Sequence, residues 1–390
     1  MENSGPETYD LVIQGGRVID PAQNLDGVHD VALREGKVAR LAESLPRSAA
    51  RRVLDARGKI VVPGLIDLHA HVFPDVGPYG IDPDPYCLHR GITTVIDAGT
   101  SGALTFPAFR RFVIDRARTR IRALLHVVAI GMVAGSTPRL GELEDLRYCV
   151  PEMAARVAEE NRGTIVGFKV RCSRQYTASH DYEGMLRAQS VRDRCNLPLM
   201  VHIGNSYTPL SKLIPLIRQG DVLTHIYHSH RHGILDSKGR LRREVLEARR
   251  RGVLFDVGHG AGSFSFDVVE RCLAQDFLPD TISSDLYSAN VHGPVFDLVT
   301  TLSKFLLLGM SLSEVLRRAT VNAAAAFDLG AKVGTLQPGA EADLSVLELQ
   351  EGEFTFTDAD GQSRPGKQKL APVVTIKGGE LYEPIKKASR

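Results

Sequence analysis

The chain has 390 residues, enough to bury one large core or a large domain with a smaller companion. Charged residues make up 24% and hydrophobic ones 43%, and 48 basic side chains nearly balance 46 acidic ones for a formal charge of +2. That balance gives no electrostatic footprint for nucleic acid or a membrane surface as partner.

In chain order, the first residues, Met1 to Glu7, hold acidic groups and no apolar run, so no secretory signal is expected. No later stretch approaches the roughly 18 consecutive apolar residues of a spanning helix. From about Asp10 to Lys59 come short β segments: 11–13, 16–20, 31–33, 37–39 and 52–54, punctuated by Gly, Pro, Asp and Asn. The tail has the same texture at 342–347 and 373–376, so residues 1–60 and 331–390 are expected to form halves of one small β-sandwich domain.

Between them, over 61–330, apolar strand-like runs alternate with helical stretches. Strands are expected near 62–69, 92–98, 122–131, 164–171, 197–203, 221–226, 253–257 and 281–286. Helices are expected at Pro151–Glu160, Tyr182–Cys195 and Leu241–Arg251, where Arg249–Arg251 suits a helix C-terminus. Eight such units have the size and rhythm of a (β/α)₈ barrel of TIM type. An open doubly wound sheet would also alternate, and the placement of polar residues decides for the barrel. The five cysteines, Cys87, Cys149, Cys172, Cys195 and Cys272, never form a CxxC pair. They read as reduced thiols of a cytoplasmic enzyme.

Residues two apart on a strand share a face, so His69 and His71 project together where the first barrel strand ends. Lys169, His202, His225 and Asp285 sit at the C-terminal ends of later strands. All such ends meet at one mouth of a parallel barrel, where enzymes of this architecture build their sites. Four histidines and an aspartate exceed what one tetrahedral ion uses, so two divalent metal ions are expected, with zinc first and manganese or cobalt as alternatives. A neutral amine at Lys169 can take up carbon dioxide, and the resulting N6-carboxylysine offers one oxygen to each ion.

The HxH after strand one, Lys after strand four, His after five and six and Asp after eight resemble the binuclear amidohydrolase superfamily, as does the split β domain. The resemblance implies that His69, His71, Lys169 and Asp285 serve a buried ion, and Lys169, His202 and His225 a more exposed one. The phrases Gly167–Arg171 and Asp256–Phe264 look most like a deacetylase branch whose members often carry the dihydroorotase name. The expected reaction is removal of an acyl group, most simply acetyl, from a small carboxylate-bearing substrate. A metal-bridging hydroxide would attack, with Asp285 as general base and then general acid.

Arg171, on the face of Lys169, suits a substrate carboxylate. His259, Tyr287 and His228 are further substrate-binding candidates, with Tyr227 and His230 in the same rim loop as His228. Asp97 is expected to brace a ligand or the barrel mouth. A cyclic amidase of dihydroorotase or hydantoinase type is the alternative activity, and a non-catalytic scaffold on the same fold is the second. A homo-oligomer is compatible with the resemblance.

Overall fold

The computed structural model describes residues 8–135 and 141–385; the leading segment read above for a signal falls outside them. Both chain ends contribute to one mixed sheet, the β-sandwich domain. Its N-terminal strands are Leu11–Asp20 (β1), Leu25–Arg34 (β2), Lys37–Ala42 (β3), Val53–Asp55 (β4) and Ile60–Pro63 (β5). The barrel follows with Leu65–Ala70 (β6), Ile92–Gly102 (β7), Arg120–His126 (β8), Ile165–Cys172 (β9), Leu199–Ile203 (β10), Val222–Thr224 (β11) and Leu254–Asp256 (β12). Leu344–Thr357 (β13), Ser363–Lys377 (β14) and Glu380–Tyr382 (β15) return to the first sheet, where β13 pairs antiparallel with β5.

The apolar run read as one strand over 62–69 is therefore two strands in two sheets. Gly64 separates them, and its N–H donates to the Asp343 carbonyl at 2.8 Å, tying the break to the C-terminal half. Leu11, Ile13, Val18, Val31 and Val61 close one core with Leu344, Val346 and Ile376, so neither end could bury its apolar face alone.

Strands β6 to β12 form a continuous parallel sheet. The eighth segment is not a ladder but two parallel bridges, Asp256 with Thr281 and Ala70 with Leu286, and these close the barrel. Inward positions pass from apolar at the bottom to polar at the top: Met200 then His202, Val222 then Thr224, Leu254 then Asp256. Helix Val321–Ala326 and Phe327 seal the bottom against Ile66, Leu124 and Val166. On β9 the outward positions Phe168, Val170 and Cys172 join the larger core beneath the surrounding helices. Helix Pro151–Glu160 has the expected bounds, with Pro151 in its first turn where a missing N–H costs nothing.

Candidate metal and substrate site

The strand tops deliver the titratable groups. β6 carries His69 and ends one residue before His71; β9 carries Lys169 and Arg171, and β10 carries His202. His225 follows β11 with φ 66°, and Asp285 has φ 48°. Such a conformation costs roughly 1 kcal/mol or more for a residue with a side chain. Asp285 is held in it by its own N–H donating to the His69 carbonyl at 2.7 Å and by Asn290 Nδ2 donating to its carbonyl at 2.8 Å.

Two parallel relays set the histidine tautomers. Thr100 Oγ1 donates to Asp97 Oδ2 at 2.7 Å and lies 2.8 Å from His71 Nδ1. Thr224 Oγ1 donates to Asp256 Oδ2 at 2.7 Å and lies 3.0 Å from His69 Nδ1. Each hydroxyl has one proton and gives it to a carboxylate, so it accepts from the imidazole. Both rings therefore carry a proton on Nδ1, and in its neutral form each presents an Nε2 lone pair. His225 Nδ1 donates to the Gly258 carbonyl at 2.7 Å, with the same result.

Those lone pairs converge on a carboxylate. Asp285 Oδ1 lies 3.1 Å from His71 Nε2 and 3.4 Å from His69 Nε2. The His202 and His225 rings are 4.1 Å apart, and those of His69 and His225 4.9 Å. Ligand atoms of His69, His225 and Asp285 all fall within 4.8 Å of one another. His225 Nε2 is buried with no hydrogen-bond partner, a condition that costs about 1–3 kcal/mol. Acceptors facing one another with no proton between them are what a cation resolves, and the nitrogen and oxygen donor set fits a divalent metal. Burial lowers the pKa of His69 and His202 and takes that of His225 to about 4, keeping all three neutral as ligands must be.

Lys169 is fully buried, its Nζ 3.1 Å from His69 Nε2 and 3.3 Å from Met200 Sδ. Burial pulls its pKa down to about 7 against the attraction of Asp285. Gly99 makes room for it: with φ 91°, a Cβ there would stand 2.7 Å from Lys169 Cβ and Cγ.

Thr100→Val and Thr224→Val keep the side-chain shape but break the relays. Each is expected to weaken metal retention about 10- to 100-fold, read by titrating the loaded protein with a chelator. Wild-type retention in both variants would refute this account of the tautomers.

Above these groups opens a cavity of about 310 Å³, reached by His71, His202 and Asp285 and walled by Arg171, Tyr79, Tyr176, Tyr287 and residues 261–263. Arg171 Nε donates to Glu142 Oε2 at 2.8 Å, and Nη2 donates to Glu142 Oε1. Its guanidinium lies 3.4 Å from the centre of the Tyr176 ring. Burial works against both charges, and the Glu142 carboxylate tightens the guanidinium's hold on its protons. Tyr287 stands edge-on to Tyr79 at 5.2 Å, and burial pushes its phenol pKa up.

Two sequence expectations are not brought to this cavity. His259 is fully buried, its ring stacked 4.4 Å from Phe264. Its Nδ1 donates to the Gly260 carbonyl at 2.8 Å, and its Nε2 accepts from Lys304 Nζ at 2.7 Å, so no ring nitrogen is left for substrate. His228 lines a neighbouring depression of about 440 Å³ instead, while His230 borders both spaces. Glu142, Thr100, Thr224 and Lys304 carried no sequence signal. Their roles come from partners 29 to 155 residues away in the chain, at Arg171, His71, His69 and His259.

A parallel barrel with these groups at its mouth and a β domain made from both ends defines a hydrolase of the amidohydrolase superfamily, and it supports metal dependence. Residues 336–383 match a family model described as a deacetylase-like composite domain. A deacetylase of Enterococcus faecalis is 34% identical over 96% of this chain and 99% of its own length. Two solved structures align closely: an adenine deaminase (TM-score 0.89, 33% identity, 96% of this chain and all of that one) and a dihydroorotase (0.88, 29%, 96% and 97%). This chain belongs to the deacetylase family.

Proposed function

We propose that the protein removes an acyl group, most simply acetyl, from a small carboxylate-bearing substrate such as an N-acetyl amino acid or an O-acetyl hydroxy acid. One observation carries this reading: a cavity of about 310 Å³ has the Asp285 cluster at one side and the Arg171 guanidinium at another. That volume suits a small molecule, and a guanidinium braced on Glu142 can offer its remaining N–H groups to a carboxylate. The deacetylase relative agrees with this reading.

His69, His71, Lys169 and Asp285 would hold an inner divalent ion, and Lys169, His202 and His225 an outer one. Zinc is the first expectation, with Lys169 as the N6-carboxylate. Ions in such a site supply an activated water and a polarised acyl carbonyl. Asp285 takes the proton of the attacking water and passes it to the leaving nitrogen or oxygen. Arg171 orients the substrate through its carboxylate, and Tyr287 closes the wall beside Asp285. Five buried, unpaired cysteines fit a cytoplasmic enzyme.

A panel of acetylated amino and hydroxy acids, run beside dihydroorotate and hydantoins on metal-loaded protein, tests the proposal. Turnover of open-chain acetyl compounds is expected. Turnover confined to the rings would replace the deacylase reading with the cyclic amidase one. A protein that binds no stoichiometric metal and turns over nothing would point to the scaffold.

A further inference from the structure

Lys304 lies within helix Leu298–Leu307 yet is only 1% exposed. Lysine is almost never buried to that degree unless its ammonium is fully partnered. Here Nζ donates to His259 Nε2 at 2.7 Å, to the Pro294 carbonyl at 2.9 Å and to the Thr357 carbonyl at 2.6 Å. An ammonium has three protons, and these three acceptors use them all. They come from three separate segments: the loop after β12, the loop before the helix and the end of β13.

What lies on either side of this junction gives it meaning. Next to His259, Gly260 has φ 52° and donates its N–H to the Ser284 carbonyl at 3.0 Å. A Cβ on Gly260 would stand 2.3 Å from Asp285 Oδ2, so this backbone is packed directly on the carboxylate assigned to proton transfer. Residues 261–263, immediately after it, wall the catalytic cavity. On the other side, the turn after Thr357 is stitched to the same region. Asp358 Oδ2 accepts from the Phe266 N–H at 2.9 Å, and the Ala359 N–H donates to the Phe264 carbonyl at 2.9 Å. Ser229 Oγ, in the loop after β11, donates to Asp360 Oδ1 at 2.8 Å.

We propose that Lys304 is a positioning residue that pins His259 to the tip of the C-terminal β13–β14 hairpin and so sets the 260–263 wall against Asp285. The hairpin is then part of the active-site frame and not an appendage to the barrel. A methionine at position 304 would fill the same space and leave the buried His259 Nε2 and two partly buried carbonyls without this donor, so the loop would have to move for His259 to find water.

The kinetic readout rests on the deacylase reading above; the structural one does not. Lys304→Met, His259→Phe, their double variant and His259→Gln are compared with wild type, all metal-loaded. Hydrogen exchange should quicken in 258–264 and 357–362 and stay unchanged in 69–72 and 222–226, with metal content unaltered. Turnover in Lys304→Met should fall about 10- to 100-fold, as a displaced wall near the chemistry predicts. KM should stay within about threefold, since the loss is in the transition state. The double variant should be no worse than the worse single one, and His259→Gln, which keeps an acceptor for Lys304, should be the mildest.

Wild-type kcat and exchange in Lys304→Met, or exchange that quickens uniformly over the barrel, would overturn the proposal. Should Lys304→Met fail to accumulate, the His259 variants are judged by the same criteria. If wild type itself turns over no acetylated substrate, the deacylase reading falls while the exchange comparison still decides the role of Lys304.

Discussion

Asp285→Asn and Asp285→Ala are expected to lower kcat about 10²- to 10⁴-fold, the range that positioned general acid–base catalysis contributes. Among the described residues that line the cavity over the histidine cluster, Asp285 is the only carboxylate. Its Oδ1 faces the His69 and His71 lone pairs, and Oδ2 is packed against Gly260. Both oxygens are thus fixed before substrate arrives, and the φ of 48° is tolerated because two hydrogen bonds to the Asp285 backbone, from its N–H to His69 and from the Asn290 side chain to its carbonyl, enforce it. Asparagine preserves size and can still coordinate through its oxygen, but it cannot carry a proton from water to a leaving group. The informative measurement is kcat together with metal content. Retained metal with collapsed turnover supports the proton-transfer role; near-wild-type turnover in either variant removes it.

The proposed ligand positions stand out in the sequence because a parallel barrel turns linear sequence into geometry. An apolar run ending in His, Lys or Asp marks a strand top, and every strand top faces the same mouth. Lys169, His202 and Asp285 stand out by that address taken together with the other strand-end groups, and the structure brings them together with His69, His71 and His225. The residues that orient this set carry no such mark. Thr100 and Thr224 look like ordinary β-branched strand residues until the imidazole and carboxylate on either side are seen. Glu142 lies in an irregular stretch, and only the fold places it against Arg171.

His259 shows the converse failure. A histidine after strand seven has the right address for a substrate contact. Whether its ring faces the cavity or the wall depends on Lys304, a helical residue 45 positions later. The sequence places an eighth strand over 281–286, but Ser283 Oγ, Ser284 Oγ and the Ser284 N–H bond to Asp256 or Asp67. Side-chain and backbone bonds to those two carboxylates hold a segment that forms only two bridges. The C-terminal hairpin is longer than its apolar pattern suggested. Glu348–Thr355 is half exposed or more, so hydrophobic alternation fades while backbone pairing with Pro365–Ala371 continues.

Lys169→Ala carries the other large expected effect. With the lysine intact, a buried amine whose pKa is near 7 has a substantial neutral fraction at physiological pH, and the neutral amine is the form that adds carbon dioxide. The carbamate would replace a positive charge that sits 3.1 Å from a ligand nitrogen with a negative one, reversing the local repulsion toward a cation. Alanine removes both states. It leaves a void beside Gly99 and deprives the proposed pair of ions of their shared ligand. Turnover is expected to fall by at least about 10³-fold, comparable with loss of the metal-activated nucleophile itself.

Two measurements separate this from unfolding. Thermal unfolding of metal-free Lys169→Ala should stay close to that of metal-free wild type, because the alanine also removes a buried charge that the fold must otherwise accommodate. Adding a short-chain carboxylic acid to the metal-loaded variant should recover part of the activity, since such an acid fits the vacated volume and supplies the two missing oxygens. Full metal occupancy and wild-type turnover in Lys169→Ala would show that the lysine is no bridge. Rescue equally effective with the corresponding amide would show that the carboxylate charge is not what the site requires.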